Sequence, residues 1–270
     1  MGPTEERTVL VTGATAGIGE EIARQLVARG ARVIVHGRSV ERAEAARERT
    51  GAADVAVADL ASLAQVRAMI ADVAARHARL DGLVNNAGIG YGTAPPRNSR
   101  TEDGHEPTWQ VNFLAAFLLT EGLRERLRDG RVVHVSSGVH SSGSVDLEQP
   151  DEPRFATPYA QSKIALVMLA REQGERWAPD GGPAVNSCSP GWIATKMGGS
   201  GGGRLQDGAD TPVWLLAEPS LEGVTGRYFW QRREEEPNPQ AEDPSARARL
   251  VALARQGVGR PGPERRSSRT

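Results

Sequence analysis

Residues 8–19 read TVLVTGATAGIG, in which a short apolar run leads directly into glycines at positions 13, 17 and 19. Because glycine has no side chain, such a loop can turn tightly and bring its backbone N–H groups close to a pyrophosphate. The positive end of the dipole of a following helix stabilises the phosphate charge. The stretch therefore predicts a strand–loop–helix unit that binds a dinucleotide, while a glycine-rich turn without a ligand is the alternative for this stretch taken alone.

The glycine spacing separates this loop from two other phosphate-binding loops. Three residues lie between Gly13 and Gly17, whereas the G-x-G-x-x-G fingerprint has a single residue there. No Gly-Lys-Ser/Thr sequence ends the loop, which argues against a P-loop nucleotide site.

Strand and helix patterns alternate along the rest of the chain. Short apolar runs separated by alanine-rich segments of helical period are typical of βαβ units around a parallel sheet. The predicted strands cover residues 8–12, 32–36, 55–58, 83–84, 132–135, 184–188 and 226–230, and the predicted helices cover about 18–29, 40–49, 62–73, 109–123, 158–176 and 246–254. Gly30 is predicted to end the first helix and Ser245 to cap the last. We predict a single-domain, doubly wound Rossmann-type α/β fold of about seven parallel strands with helices on both faces.

The sequence contains no internal repeat beyond this alternation and no clear linker before its last residues. We therefore predict one domain over residues 1–256. Residues 257–270 are rich in glycine, proline and arginine, a composition that predicts a disordered tail.

The charge balance and the cysteine count exclude several classes of function. The 270 residues include 33 Lys and Arg against 34 Asp and Glu, a formal net charge of −1. Nucleic-acid-binding proteins usually have a strong basic excess, so no nucleic-acid partner is expected. The single cysteine, Cys188, cannot form an intramolecular disulfide, and the five histidines lack metal-ligand spacing. We expect no metal site.

No apolar run in the sequence approaches the roughly 18 residues that a membrane helix needs. Residues 1–7 are polar, unlike a secretory signal. We therefore expect a cytoplasmic protein with no membrane span.

The end of the second predicted strand indicates which dinucleotide binds. At this position an acidic residue accepts hydrogen bonds from a ribose 2′-OH, whereas an arginine accommodates a 2′-phosphate. The sequence here is His36-Gly37-Arg38-Ser39, with no acid. Arg38 can pair with a phosphate and Ser39 can donate a hydrogen bond to it, which favours NADP over NAD. The alternative is an exposed arginine on a polar turn.

Tyr159 and Lys163 lie four residues apart in a predicted helix, and this spacing places both side chains on one face. An ammonium beside a phenol favours the phenolate, so the pair predicts a tyrosine with a lowered pKa that acts as a general acid or base. Such a pair is common on solvated helices and carries little weight alone.

Several motifs together resemble the short-chain dehydrogenase/reductase family. In order along the chain they are Thr12-Gly13 with Gly17-Ile18-Gly19, then Asn85-Asn86-Ala87-Gly88, then Ser137, Tyr159 and Lys163, then Pro190-Gly191. The resemblance covers roughly Val9 to Trp230. It implies that Tyr159 transfers the proton, that Lys163 lowers the pKa of Tyr159 and hydrogen-bonds the nicotinamide ribose, and that Ser137 holds the substrate oxygen. Asn112 matches the family asparagine that holds a water in the proton relay.

The same resemblance implies the cofactor contacts. Besides Arg38 and Ser39, they comprise Gly13, Thr15, Gly17, Ile18, Gly19, Asp59, Leu60, Asn86, Ala87, Gly88, Tyr159, Lys163, Pro190, Gly191, Ile193 and Thr195. Ser136 precedes the catalytic serine, and because side chains alternate along a strand, only one of the two hydroxyls can point into the site. The motif favours Ser137.

Two segments depart from the usual family pattern. The interval from Ser137 to Tyr159 is 22 residues long and resembles the extended segment of retinol-dehydrogenase-like and WW-domain-oxidoreductase-like members. The glycine-rich stretch from Gly198 to Gly203 takes the place of the family's substrate lid, which predicts a mobile loop that excludes water when it closes. Tyr91, Phe155 and Trp192 fall on loops near the site, where each can line an apolar pocket or serve in packing.

These features together predict an NADP(H)-dependent oxidoreductase, a carbonyl reductase or alcohol dehydrogenase acting on a hydrophobic small molecule. The alternatives are a catalytically silent NADP(H)-binding regulatory protein, and a dehydratase or epimerase on the same scaffold. Family members are commonly dimers or tetramers, and the sequence leaves a homo-oligomer and a monomer both open.

Overall fold

The central element of the computed structural model, which describes residues 7–96 and 98–259, is one twisted sheet. Its strands are β1 (Thr8–Val11), β2 (Arg32–Gly37), β3 (Asp54–Val57), β4 (Gly82–Asn85), β5 (Arg131–Val135), β6 (Ala184–Ser189), β7 (Tyr228–Trp230) and β8 (Arg233–Glu234). Their order in the sheet is β3-β2-β1-β4-β5-β6-β7-β8. The first seven pair in parallel, and β8 pairs with β7 antiparallel. The predicted doubly wound fold is confirmed, with eight strands where about seven were predicted.

Helices cover both faces of the sheet. They are α1 (Gly17–Val27), α2 (Val40–Thr50), α3 (Leu63–Arg76), α4 (Pro107–Trp109), α5 (Ala115–Gly122), α6 (Pro158–Trp177), α7 (Leu205–Ala217), α8 (Pro239–Glu242) and α9 (Pro244–Gly259). A π-helical turn, Gln110–Leu114, joins α4 to α5, so the long helix predicted over 109–123 is interrupted. π-Helical turns are frequent at functional sites.

Alternation along β1 shows why the sheet has two apolar faces. Val9 and Val11 belong to the core that packs against α1 and α7. Leu10, between them, belongs to the core on the opposite face, which packs against α3, α5 and α6. Successive residues of β1 from Val9 onward therefore bury their side chains under opposite helical layers, and the carboxyl ends of the parallel strands meet at one edge.

Two helices, α7 and α9, differ from the predictions. The helix Leu205–Ala217 was not predicted, because Gly208 and Pro212 interrupt its helical pattern. A Cβ on Gly208 would lie 2.7 Å from Cγ1 of Ile193, so this glycine permits close packing. The last helix begins at Pro244 and continues to Gly259, which places Ser245 inside it rather than at its cap.

The start of the predicted tail at residue 257 is therefore wrong, since α9 includes residues 257–259. The rest of the predicted tail, 260–270, lies outside the described residues. Across the part of the chain that the structure describes, no helix combines the length and apolarity required to span a bilayer.

Candidate active site

The loops after β1 to β6 all lie at the carboxyl edge of the sheet, where ligands bind in open α/β folds. Each predicted site residue falls on one of these loops or on the helices that flank them.

The glycine loop is shaped by close backbone approach. Gly13 and Gly17 have φ angles of 63° and 60°, in the left-handed region. A Cβ on Gly19 would lie 2.4 Å from the carbonyl oxygen of Gly13 and 2.4 Å from Nδ2 of Asn86. No side chain fits there, so the loop stays small enough for a ligand to reach its backbone.

The start of α1 fits a bound pyrophosphate. Its N-cap residue is Ala16, whose methyl side chain cannot accept a capping hydrogen bond. In contrast, the side chains of Ser39, Ser62 and Thr157 cap α2, α3 and α6. The backbone N–H groups of Gly17, Ile18 and Gly19 donate to no acceptor among the described residues. Three adjacent free donors at the positive end of a helix dipole are a ready anion site.

Thr12 and Asn86 tie the glycine loop to the loop after β4. The Thr12 Oγ1 accepts hydrogen bonds from the N–H groups of Asn86 and Ala87, both at 3.0 Å. The Asn86 Nδ2 donates to the Thr12 carbonyl at 2.9 Å. The side chain of Asn86 thus holds the two loops together.

His36 is a part of this site that sequence reasoning did not single out. Its buried ring accepts a hydrogen bond from the Gly13 N–H at Nδ1 (3.0 Å) and donates from Nε2 to the Ala58 carbonyl (3.1 Å). Burial lowers the pKa of His36 to about 4, which keeps this ring neutral. The neutral ring therefore joins β2 to the glycine loop and to the end of β3.

We expect acid to destabilise the protein through His36 and through His134, whose pKa burial also lowers to about 4. Since the unfolded histidine titrates near 6.5, the unfolded state binds more protons below that pH. The stability is fully present above pH 6.5 and is lost as pH falls towards 4, with each histidine worth on the order of 3 kcal/mol. Urea unfolding at a series of pH values measures this loss. A His36→Gln variant should show a flatter pH dependence, and an unchanged slope would contradict the assignment.

Arg38 and Ser39 follow β2 at the edge where a 2′-phosphate is expected. Arg38 is exposed, and its guanidinium makes no ion pair or hydrogen bond with any residue that the structure describes. The Ser39 Oγ accepts the Arg42 N–H as the cap of α2 (3.4 Å), and its hydroxyl also hydrogen-bonds the Glu41 carboxylate, which lowers the pKa of Glu41. At the end of β3, Asp59 is exposed and Leu60 is buried.

Lys163 is buried beneath the site. Its side chain is 4% exposed, and its Nζ donates to the Val135 carbonyl at 2.9 Å. The same Nζ lies 5.4 Å from the centroid of the Tyr159 ring. Burial lowers the pKa of Lys163 to about 8, so this amine is poised between its charged and neutral forms close to neutral pH.

Tyr159 differs from the prediction in its electrostatics. Burial raises the pKa of Tyr159, and hydrogen bonding with the Ser137 hydroxyl opposes this rise only in part. The sequence predicted a lowered pKa from the charge of Lys163. The difference arises because the ring is covered by protein and because the Lys163 ammonium points at a carbonyl oxygen of β5 rather than at the phenol oxygen.

The two adjacent serines point in different directions, as strand alternation predicts. The buried Ser136 Oγ donates to the Lys163 carbonyl at 2.7 Å, so it fastens β5 to α6. Ser137 caps the short turn Gly138–Ser142 by accepting the Val139 N–H (3.4 Å). The His140 ring also hydrogen-bonds the Ser137 carbonyl at 2.8 Å, which fixes the backbone that carries this hydroxyl.

Asn112 lies in the π-helical turn, where its side chain binds protein groups. Its Oδ1 accepts the Ile89 N–H at 2.8 Å, and its Nδ2 donates to the Ile89 carbonyl and to the Ser162 Oγ, both at 2.9 Å. A Cβ on Gly88 would lie 3.3 Å from the Asn112 Oδ1 and 3.6 Å from the Lys163 Nζ. The amide therefore clamps the loop after β4 against α6, directly beside the lysine.

A cavity of about 610 Å³ opens above these groups. Its lining includes Tyr91, Ser137, Tyr159, Trp192, Met197 and Trp230. The predicted pocket residues Tyr91 and Trp192 are therefore present, while Phe155 is not among the lining residues and stands 71% exposed. Met197 and Trp230 were missed because nothing in the local sequence shows that their segments meet over the site.

The segment after β6 forms one side of this cavity. Gly191 has a φ of 82°, and a Cβ on Gly17 would lie 3.6 Å from the Thr195 methyl group, so residues 190–195 reach across to the glycine loop. The glycine-rich stretch predicted as a lid folds back on this segment. The Gly203 N–H donates to the Trp192 carbonyl (2.7 Å), and the Trp192 Nε1 donates to the Gly198 carbonyl (2.8 Å).

The long segment between Ser137 and Tyr159 is held by the C-terminal part of the chain. The Asn238 Nδ2 donates to the carbonyls of His140, Ser141 and Gly143 at 2.9–3.2 Å. Within the segment, Arg154 pairs with Asp146 at 2.7 Å and holds the pKa of that carboxyl well below its usual range. The segment therefore stabilises the backbone around Ser137, and its first two residues, Gly138 and Val139, line the cavity.

Comparison with known proteins gives consistent matches. The family profile described as short chain dehydrogenase matches residues 7–202. A protein of Streptomyces sp. (strain C5) described as a daunorubicin C-13 ketoreductase is 37% identical over 273 residues, covering 94% of this chain and 93% of that protein. Retinol dehydrogenase 13 of Homo sapiens is 33% identical over 289 residues, with 95% and 86% covered. A crystal structure of an uncharacterized protein from Mycobacterium paratuberculosis superposes with a TM-score of 0.78 at 31% identity, covering 95% of each chain.

Proposed function

This chain belongs to the short-chain dehydrogenase family and is an oxidoreductase of ketone or alcohol substrates, and we propose that it uses NADP(H), with Tyr159 as the general acid and base. One observation carries the proposal. Tyr159 and Ser137 line a single cavity that lies beside the uncapped start of α1. The buried Lys163 Nζ is 5.4 Å from the centroid of the tyrosine ring.

In the reductive direction a bound nicotinamide supplies the hydride that adds to the carbonyl carbon. The Tyr159 hydroxyl gives its proton to the carbonyl oxygen, and the Ser137 hydroxyl donates a hydrogen bond to the same oxygen. We assign Lys163, whose Nζ lies 5.4 Å from the centroid of the Tyr159 ring, to holding the nicotinamide ribose, as the family resemblance implies. In the oxidative direction the Tyr159 phenolate accepts the alcohol proton.

The cavity supports a hydrophobic substrate. Tyr91, Trp192 and Trp230 present large apolar rings around an opening that also holds Tyr159 and Ser137. Aromatic lining with a few convergent polar groups is typical of small-molecule sites. Two relatives are named for their substrates, daunorubicin and retinol. Both compounds are bulky and hydrophobic, which agrees with this assignment.

The preference for NADP is assigned to Arg38. We expect Arg38→Asp to reverse the ratio of kcat/KM with NADPH to kcat/KM with NADH, because the exposed guanidinium is replaced by a carboxylate that repels a 2′-phosphate and accepts a ribose hydroxyl. The loss for NADPH should be on the order of 100-fold, as for a charge-assisted contact worth about 3 kcal/mol. Arg42→Asp, one turn into α2, is the matched charge control. An unchanged ratio in Arg38→Asp would defeat the assignment.

The function itself is tested by NADPH consumption across a panel of hydrophobic ketones, aldehydes and quinones, with NADH run alongside. Turnover of carbonyl compounds supports the proposal. Tight NADPH binding with no turnover of the panel, or of the matching alcohols with NADP, would instead indicate a silent cofactor-binding protein. Conversion of a substrate without net NADPH consumption would indicate a dehydratase or epimerase.

A further inference from the structure

Tyr91 occupies an unusual position at the mouth of the cavity. Its side chain is 64% exposed, yet its backbone has a φ of 42°, in the left-handed region that bulky residues rarely adopt. Burial of its own ring cannot account for this conformation. A residue held in such a conformation at a site edge indicates a local functional constraint.

The contact that Tyr91 makes is with the tyrosine of the proposed reaction. The two ring centroids are 4.9 Å apart with an interplanar angle of 53°, which is within the favourable range for tilted aromatic pairs. The exposed ring therefore covers part of Tyr159.

The backbone before Tyr91 is fixed against the same ring. A Cβ on Gly90 would lie 2.2 Å from the Tyr159 Cδ2, so residue 90 lies directly on Tyr159. The Gly90 N–H donates to the Thr93 Oγ1 at 2.9 Å, and the same hydroxyl donates to the Gly90 carbonyl at 2.8 Å. Asn112 holds the preceding residue through both its backbone groups.

We propose that Tyr91 is a positioning residue, whose ring, set on the clamped segment 89–93, holds the Tyr159 ring in its reactive orientation and shields it from water. This inference rests on the proposed function in that it assigns Tyr159 the proton transfer. The shielding itself is a property of the fold and can be measured without a substrate.

The groups that face Tyr159 define what the shielding does. They are the Ser137 hydroxyl, the Tyr91 ring and the Lys163 Nζ, from the loop after β5, the loop after β4 and α6 respectively. Burial is the largest contribution that raises the pKa of Tyr159. Removing the Tyr91 ring lets water reach the phenol and should lower that pKa, whereas Tyr91→Phe keeps the ring and removes only the smaller electrostatic contribution of the Tyr91 hydroxyl. The comparison of Tyr91→Ala with Tyr91→Phe therefore isolates the shielding by the ring.

The chain has three tyrosines, which makes the test direct. Burial raises the pKa of Tyr228 to about 12, so the phenolate absorbance of Tyr91→Phe and Tyr91→Ala proteins reports Tyr159 as the earlier transition. We expect the midpoint to lie at lower pH in Tyr91→Ala than in Tyr91→Phe. Phe155→Ala, made in the Tyr91→Phe background, removes another highly exposed ring and should leave the midpoint unchanged. Circular dichroism at each pH confirms that the proteins remain folded.

Kinetics provide the second readout. We expect Tyr91→Ala to lower kcat on the order of tenfold, because a small misplacement of a catalytic group is costly, and to move the pH profile of alcohol oxidation to lower pH. Tyr91→Phe, which keeps the ring, should retain most of kcat and should have a pH profile at higher pH than that of Tyr91→Ala. Equal absorbance midpoints in Tyr91→Ala and Tyr91→Phe would overturn the inference. Because that titration needs no turnover, its failure is distinguishable from failure of the proposed function.

Discussion

Tyr159→Phe is expected to lower kcat for carbonyl reduction by about 10³-fold, the range that a positioned general acid contributes. The substitution removes only the hydroxyl that shares the cavity with Ser137. The ring that packs against Tyr91 and lies near Lys163 is kept. The proton that the carbonyl oxygen needs then has no donor at this position. Steady-state NADPH consumption with the best substrate of the panel measures the loss.

Two controls separate a lost proton donor from a damaged site. Titration of NADPH binding should give a Kd close to that of the unmodified protein, since phenylalanine keeps the shape of the tyrosine ring, and urea unfolding should show a similar free energy. Turnover within a few-fold of the unmodified protein would show that the proton comes from another group. Loss of cofactor binding together with turnover would show that the Tyr159 hydroxyl serves the cofactor rather than the substrate oxygen.

The sheet and the position of the glycine loop could be predicted because they depend on local patterns. The alternation in β1 assigns Val9 and Leu10 to opposite cores, and glycines at 13, 17 and 19 indicate a tight loop with left-handed backbone or close backbone contacts. The helix α7 could not be recognised in the same way. Gly208 and Pro212 obscure its periodicity, and the reason for the glycine is contact with Ile193, on a separate segment.

The electrostatics of the site depend on burial, which spacing alone does not reveal. The four-residue spacing from Tyr159 to Lys163 places both on one helix face, but the sequence does not show that the Lys163 Nζ is bound to the Val135 carbonyl or that protein covers the phenol. The same limit applies to His36, whose partners Gly13 and Ala58 come from two different loops. Such contacts require the folded arrangement, and they decide the direction in which each pKa moves.

Gly19→Ala is expected to weaken NADPH binding by at least about 100-fold, equivalent to about 3 kcal/mol, and to reduce the free energy of unfolding by roughly 1–3 kcal/mol. The added methyl group would lie 2.4 Å from both the Gly13 carbonyl oxygen and the Asn86 Nδ2. The glycine loop must therefore move away from residue 86. The free N–H groups at the start of α1 are carried with it. Isothermal titration with NADPH and urea unfolding measure the two effects.

Two other glycines provide graded controls for this prediction. At Gly17 an added Cβ would be 3.6 Å from the nearest atom, a Thr195 methyl carbon, but the φ of 60° disfavours alanine. Gly17→Ala should therefore reduce the free energy of unfolding by about 1 kcal/mol. At Gly92 nothing lies within 4 Å of an added Cβ, and Gly92→Ala should bind NADPH normally. If the three variants bind NADPH equally well, the loop is only a tight turn and the dinucleotide does not rest on it. If affinity falls in the order Gly92, Gly17, Gly19, the close packing of this loop is what holds the phosphate-binding N–H groups in place.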